Sequence, residues 1–267
     1  MARPSRLSRA PRALYSLLEG RALLEIGALP FFLPLLQTTP RGDGHPVLLV
    51  PGFSASDATL VGLSVFLRSR GYNVVTWGFG QNTGFKLKFS HALEQKLRFL
   101  HHKHRRKVSL IGWSLGGVFA FYAAHVAPEC VRCVISLGSP LRLDPDSRPP
   151  AGVSAMYRAI SGNVGPLAHQ ARSRSRSMRA PPPVPSTCIY SDLDGFVPPA
   201  QATLEGDSAD HENIRVPGSH MGLGFNSVVL WVIADRLAQH EGDWHTFQAS
   251  GALAPVLRVL GLRTESG

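Results

Sequence analysis

Residues 107–117 read Lys-Val-Ser-Leu-Ile-Gly-Trp-Ser-Leu-Gly-Gly. The first six form a short apolar run, which predicts a strand over 107–112. After Ser114 the chain stays apolar as far as Ala127 and meets Pro128, which predicts a helix over 115–127. Only a sharp turn fits between the two. In such a turn a side chain at Gly112 or Gly116 would collide with neighbouring backbone. The same sharpness lifts the Ser114 hydroxyl above the end of its strand.

Working outward, the strand–helix rhythm repeats. Upstream, 45–50 is a short apolar run closed by Pro51-Gly52 and reads as a buried strand. Asp57 is placed to cap a helix carrying Leu60, Leu63, Phe66 and Leu67, which Gly71 ends. A strand over 73–77 follows, then a helix over 85–104 with Leu93, Leu97 and Leu100 on one side. Downstream, 131–137, 187–191 and 212–216 read as strands. Residues 225–237 read as a helix with Val229, Val232, Ile233 and Leu237 inward. Between them, 142–186 is rich in Pro, Ser and Arg and is helical only over 153–160, so a loop or small lid insertion is expected. The tail 244–262 is expected to add one helix. Apolar strands alternating with helices predict an α/β fold with a mostly parallel sheet covered by helices on both faces. Sites in such sheets form at the carboxyl ends of strands. The chain divides into a helical, basic and apolar N-terminal segment (1–40), one α/β domain (41–240) and a tail (241–267).

A hydrophobic share of 44% against 17% charged residues suits a packed core and excludes disorder. The net charge of +10 favours anionic partners. It is concentrated in Arg3, Arg6, Arg9 and Arg12, in Lys103, Arg105, Arg106 and Lys107, and in Arg172, Arg174, Arg176 and Arg179. No aromatic residues are interleaved with these runs, so no nucleic-acid partner is expected. Cys130 and Cys133 form a C-x-x-C pair without the second pair a zinc site needs, and read as core thiols. The apolar stretch 22–36 is broken by Glu25, Pro30 and Pro34 and makes a poor spanning helix. Leu14, Leu17, Leu18, Leu24 and Leu29 could form one face, covering the sheet or pocket mouth, or lying on a lipid surface. A cytoplasmic protein, with peripheral membrane contact left open through this segment, is the expectation.

Ser114 needs a base, because a serine hydroxyl is a poor nucleophile until its proton is taken. Of eleven histidines, His220 in Gly218-Ser219-His220-Met221-Gly222 follows the last parallel strand on the same edge as Ser114. His101, His102 and His104 lie in a basic run, His45 precedes its strand, His125 falls in a helix and His169 in the insertion. The base needs a carboxylate to fix its tautomer. Asp194, in the turn dipeptide Asp194-Gly195, is favoured, with Asp192 as the alternative. The backbone N–H groups of Leu115 and Phe53 are expected to form the oxyanion hole. Trp113 and Met221, beside the serine and the histidine, are read as substrate contacts.

Together, Leu49-Val50-Pro51-Gly52-Phe53, the Gly112–Gly116 motif, Ile189-Tyr190-Ser191 with Asp194, and Gly218-Ser219-His220-Met221-Gly222-Leu223 resemble the α/β-hydrolase superfamily. The likeness is to small bacterial lipases and esterases with a minimal sheet, and runs from about residue 45 to 237. Pro51 stands where such lipases carry histidine. The resemblance implies a Ser114–Asp194–His220 triad cleaving small-molecule or lipid esters through an acyl-enzyme, with no metal or cofactor. Two rivals share the scaffold: an acyltransferase using the same triad, and a catalytically silent lipid- or partner-binding protein.

Overall fold

In a computed structural model, which describes residues 12–142, 181–205, 210–249 and 263–265, the apolar runs become the strands of one sheet. These are β1 (Pro46–Val50), β2 (Asn73–Thr76), β3 (Val108–Trp113), β4 (Val131–Leu137), β5 (Ser186–Tyr190), β6 (His211–Arg215) and β7 (Arg263–Glu265). Their order is β2-β1-β3-β4-β5-β6-β7. The first six are parallel, and β7 pairs antiparallel with β6. Every residue of β1, β3 and β5 is buried, as strands covered on both faces require.

The two faces carry separate cores. Val47 and Leu49 of β1 join Ile111 of β3 under α3 (Val61–Ser69) and the helix Ser227–Ala238. Leu48 and Val50 join Leu110 under α4 (Leu87–His104) and α5 (Leu115–Val126). The alternation along β1 is the period-two consequence of the pleat. The chain runs outward from β1 to β2 through α3, and then from β3 to β4 through α5 on the other face. The strand order therefore reverses between β1 and β3, which opens a crevice at their carboxyl ends.

Three features depart from the sequence expectations: the role of Asp57, the course of 244–249 and the presence of β7. Asp57 does not cap a helix with its side chain. It begins a 3-10 turn, Asp57–Leu60, and accepts from Thr76 Oγ1 at 2.9 Å and Gly78 N at 3.0 Å. The N-terminal segment is helical as expected: helix α2 (Ala22–Leu36), which follows α1 (Arg12–Leu17) and the 3-10 turn Leu18–Arg21, runs through both Pro30 and Pro34. The carbonyls deprived of amide partners belong to Ile26 and Pro30; both residues are exposed, so water can take the missing place. Residues 244–249 of the tail are not helical. They are pinned where Phe247 N donates to Glu212 Oε2 at 2.6 Å, and the Glu212 carboxylate is buried against Arg236 at 3.0 Å. Strand β7 was not foreseen. The expected helix over 153–160, His169 and the rest of the tail expectation lie outside the described residues.

Candidate active site

Ser114 has φ 53° and ψ −123°, a left-handed backbone that costs a non-glycine residue about 1–3 kcal/mol. The surroundings hold it there. Its N–H donates to Leu137 O at 2.8 Å, and its carbonyl accepts from Gly117 N at 3.0 Å. A Cβ at Gly112 would strike Gly116 O and Gly117 N, and one at Gly116 would strike Val50 O. The loop after β1 crosses directly above the turn: a Cβ at Gly52 would come within 3.2 Å of Ser114 Cβ and 3.3 Å of Trp113 O. That loop carries Phe53 and is fixed by Asn82, which is fully buried. Asn82 Nδ2 donates to Pro51 O at 2.9 Å, and its carbonyl accepts from Ser54 N at 2.8 Å. Leu115 is the first residue of α5, so its N–H is unused by the helix and aims along the positive end of the dipole.

The two loops after β5 and β6 meet beside this turn. His220 Nδ1 lies 2.6 Å from Asp194 Oδ2, with both residues buried. The other oxygen, Asp194 Oδ1, accepts from Phe196 N at 2.8 Å and Val197 N at 2.7 Å. Asp192 is elsewhere: it is exposed and paired with Arg215. Gly138 is the wall shared by all three residues. It follows Leu137, which holds Ser114, and a Cβ on it would come within 2.9 Å of Asp194 Oδ2 and 3.1 Å of His220 Nδ1. Burial of the His220 ring disfavours its charged form, but the carboxylates of Asp194 and Glu19 outweigh that and raise its pKa above the ordinary value. Phe196 sets its ring edge-on to the imidazole at 5.2 Å.

Trp113, read from the sequence as a substrate contact, is buried, and its indole N–H donates to His220 O at 3.1 Å. Met221 is half-exposed at the rim.

Sequence reasoning missed the contribution of the N-terminal segment. The Glu19 carboxylate is buried and collects three amides: Gly195 N at 2.7 Å, His220 N at 3.0 Å and Met221 N at 2.9 Å. Glu25 accepts from Ser219 N at 2.7 Å, from Ser219 Oγ at 2.6 Å, and from Asn226 Nδ2 at 3.0 Å. Ser16 Oγ donates to Gly195 O at 2.6 Å, and Arg21 donates to Leu193 O. One short segment thus ties the acid loop to the histidine loop. The signal available beforehand was a carboxylate standing alone in each of two apolar stretches.

A second Asp–His–Ser array lies at the opposite end of the sheet. Asp43 Oδ1 is 2.6 Å from His45 Nδ1, and His45 Nε2 is 2.8 Å from Ser109 Oγ. Both His45 and Ser109 are fully buried, so no substrate reaches them. Burial pushes the His45 pKa down to about 4. The thiols are equally withdrawn: Cys130, Cys133 and Cys188 are free and buried, and burial raises all three, Cys188 to about 12. That removes the thiolate a redox role would use.

Comparison with known proteins agrees with this architecture. The family model for the alpha/beta hydrolase fold matches residues 46–160. That range includes the Ser114 turn and stops short of Asp194 and His220. A triacylglycerol lipase of Burkholderia plantarii is 32% identical over 134 residues, covering 47% of this chain and 37% of that protein. The chain therefore spans well under half the length of that relative. Among solved structures, a metagenome-derived lipolytic enzyme superposes with a TM-score of 0.58 at 16% identity, covering 76% of this chain and 96% of the other. The mature lipase BlEst2 of Bacillus licheniformis gives 0.56 at 17% identity, over 76% and 95% of the two chains. At such identities the likeness is one of fold.

Proposed function

Because the chain has the α/β-hydrolase fold and resembles lipases and esterases of that superfamily, we propose that it cleaves carboxylic esters through an acyl-enzyme on Ser114. The observation that carries this reading is the buried 2.6 Å pair of Asp194 and His220 beside a strained serine turn. His220 Nδ1 is held by Asp194, which leaves Nε2 as the proton acceptor. Ser114 Oγ adds to the ester carbonyl while its proton passes to His220. The oxyanion is held by the N–H groups of Leu115 and Phe53. Collapse expels the alcohol, which takes the proton from His220. Water, deprotonated by His220, then releases the acid and restores the serine. Met221, half-exposed and next to His220 in the chain, is the proposed substrate contact. A lipid ester is the substrate class favoured by the relative named as a triacylglycerol lipase and by the exposed apolar segment next to the site.

The test is hydrolysis of p-nitrophenyl esters of graded acyl length, with fluorophosphonate labelling read by mass spectrometry. Wild type is expected to turn over and to be labelled on Ser114. Ser114→Ala is expected to lose at least roughly a thousandfold in kcat and all labelling at that position. Equal activity in the mutant overturns the mechanism.

A further inference from the structure

Between Ala13 and Leu36 the chain carries three charged side chains, Glu19, Arg21 and Glu25. All three are committed to the protein: Glu19 to the amides of Gly195, His220 and Met221, Arg21 to the carbonyls of Leu193 and Gly218, and Glu25 to Ser219 and Asn226. A surface helix ordinarily turns its charges to water and its apolar side chains to the core. Here the pattern is inverted. Leu17, Leu23, Leu24 and Phe31 are 81%, 74%, 75% and 85% exposed. Leu14, Leu18, Ile26, Phe32 and Leu33 continue the exposed apolar series. An apolar surface of this extent marks an interaction site.

The chemistry next to it identifies the occupant. Arg3, Arg6, Arg9 and Arg12 immediately precede this segment, in a chain of net charge +10. Apolar helices beside a basic run match a lipid surface with anionic headgroups. A second copy of the chain fits worse, because it would bring the same arginines and the same net charge against themselves. Crossing the bilayer is not the mode of contact: among the described residues no helix is long and apolar enough to span a membrane. We infer that the exposed side of α1, the 3-10 turn and α2 docks in the plane of an anionic lipid surface, with Leu17, Leu23, Leu24 and Phe31 in the acyl boundary. The segment's other side holds the acid and histidine loops through Glu19 and Glu25. Docking therefore brings the site itself to the lipid surface. Vesicle binding does not depend on the hydrolytic reading, and the two are measured separately.

The experiment uses the full chain and sucrose-loaded vesicles of phosphatidylcholine alone, or mixed with phosphatidylglycerol, recovered by centrifugation. Wild type and Ser114→Ala are expected to partition alike, at least tenfold more strongly onto the anionic vesicles, and less as salt is raised. The triple substitution Leu23→Ser, Leu24→Ser, Phe31→Ser is expected to lose at least tenfold in partition while keeping wild-type hydrolysis of a soluble short-chain p-nitrophenyl ester. If that variant fails to fold, Phe31→Trp decides, its added emission moving to the blue with anionic vesicles. Undiminished pelleting of the folded triple variant, equal binding to neutral vesicles, or no emission shift overturns the proposal. So does a wild-type dimer that the same substitutions dissociate while vesicle binding is absent. Ester hydrolysis missing from every form, with vesicle binding intact, sinks the catalytic reading and leaves this one standing.

Discussion

The indole N–H of Trp113 donates to the main-chain carbonyl of His220 at 3.1 Å. The residue directly before Ser114 therefore fixes the loop that carries the proposed base, although 107 positions separate Trp113 from His220 in the chain. Trp113→Phe keeps an aromatic ring against Phe225, whose ring centroid lies 6.1 Å away, and removes only the donor. The expected outcome is a folded protein with kcat for a short p-nitrophenyl ester lowered about tenfold, since a lost neutral hydrogen bond is worth about 0.5–1.5 kcal/mol. Thermal unfolding measured alongside separates this from general destabilisation.

Gly138 has φ +53°, and its missing Cβ leaves room for both Asp194 Oδ2 and His220 Nδ1. Gly138→Ala is expected to push that pair apart. Turnover should fall by about two orders of magnitude, as misplacement of a catalytic group by about 1 Å can cost. Steady-state kinetics at saturating ester is the measurement, and an unchanged kcat would contradict the shared wall.

The charges facing His220 predict the pH profile. Asp194 lies on the ring, Glu19 on the His220 amide, Glu25 on the Ser219 amide, and Arg21 on the Gly218 carbonyl. The carboxylates of Asp194 and Glu19 raise the His220 pKa against its burial, and the base works only when neutral. Activity should therefore be lost on acidification at a pH above the ordinary histidine value, about 6.5. Glu19→Gln removes a negative charge and keeps an acceptor. Its acid limb in kcat/KM should move to lower pH, the direction set by removing one of the two carboxylates that raise the His220 pKa.

Strand positions, the serine turn and the acid and histidine loops were legible because each is encoded locally. An apolar run of strand length, a Gly-x-Ser-x-Gly spacing and a turn dipeptide carry their meaning within a few residues. The turn dipeptide favours Asp194 over Asp192 without excluding the latter. Both follow the same strand, and only the packing of Phe196 N and Val197 N onto Asp194 Oδ1 settles which carboxylate turns inward. Glu19 and Glu25 were illegible for a different reason. Their partners lie 176 to 202 positions away in the chain, beyond any pattern of periodicity. Asp57 misled because a helix-capping residue type also suits a side chain that bonds across to Thr76 and Gly78.

His45 supplies a stability test independent of catalysis. It is fully buried with its pKa pushed down to about 4, so the unfolded chain takes up its proton first as pH falls. Its contribution is intact above the unfolded value and declines from about pH 6.5 to about pH 4, amounting to about 2 kcal/mol between about pH 7 and about pH 5. Urea unfolding of wild type and His45→Gln at those two pH values should show the loss in wild type and a smaller one in the variant. Equal losses would mean that the ring titrates normally.

Glu212 and Arg236 are both buried and lie 3.0 Å apart, and Glu212 also accepts from Thr187 and Phe247 N. Glu212→Ala removes the acceptor of Thr187 and Phe247 N and leaves the guanidinium with the part-exposed Asp235 and the His245 carbonyl, and should destabilise the fold by about 3 kcal/mol. Denaturant titration reads this directly.

The contact between Glu19 and the amides of residues 195, 220 and 221 also bears on how the molecule is made. Ribosomal synthesis delivers residues 12–36 well before the loops they secure. Until those loops emerge, two carboxylates and a run of bare leucines and phenylalanines have no folded partner. A nascent chain stalled before about residue 222 would hold the serine turn without the His220 loop beside it, and the apolar segment 12–36 would be open to chaperones.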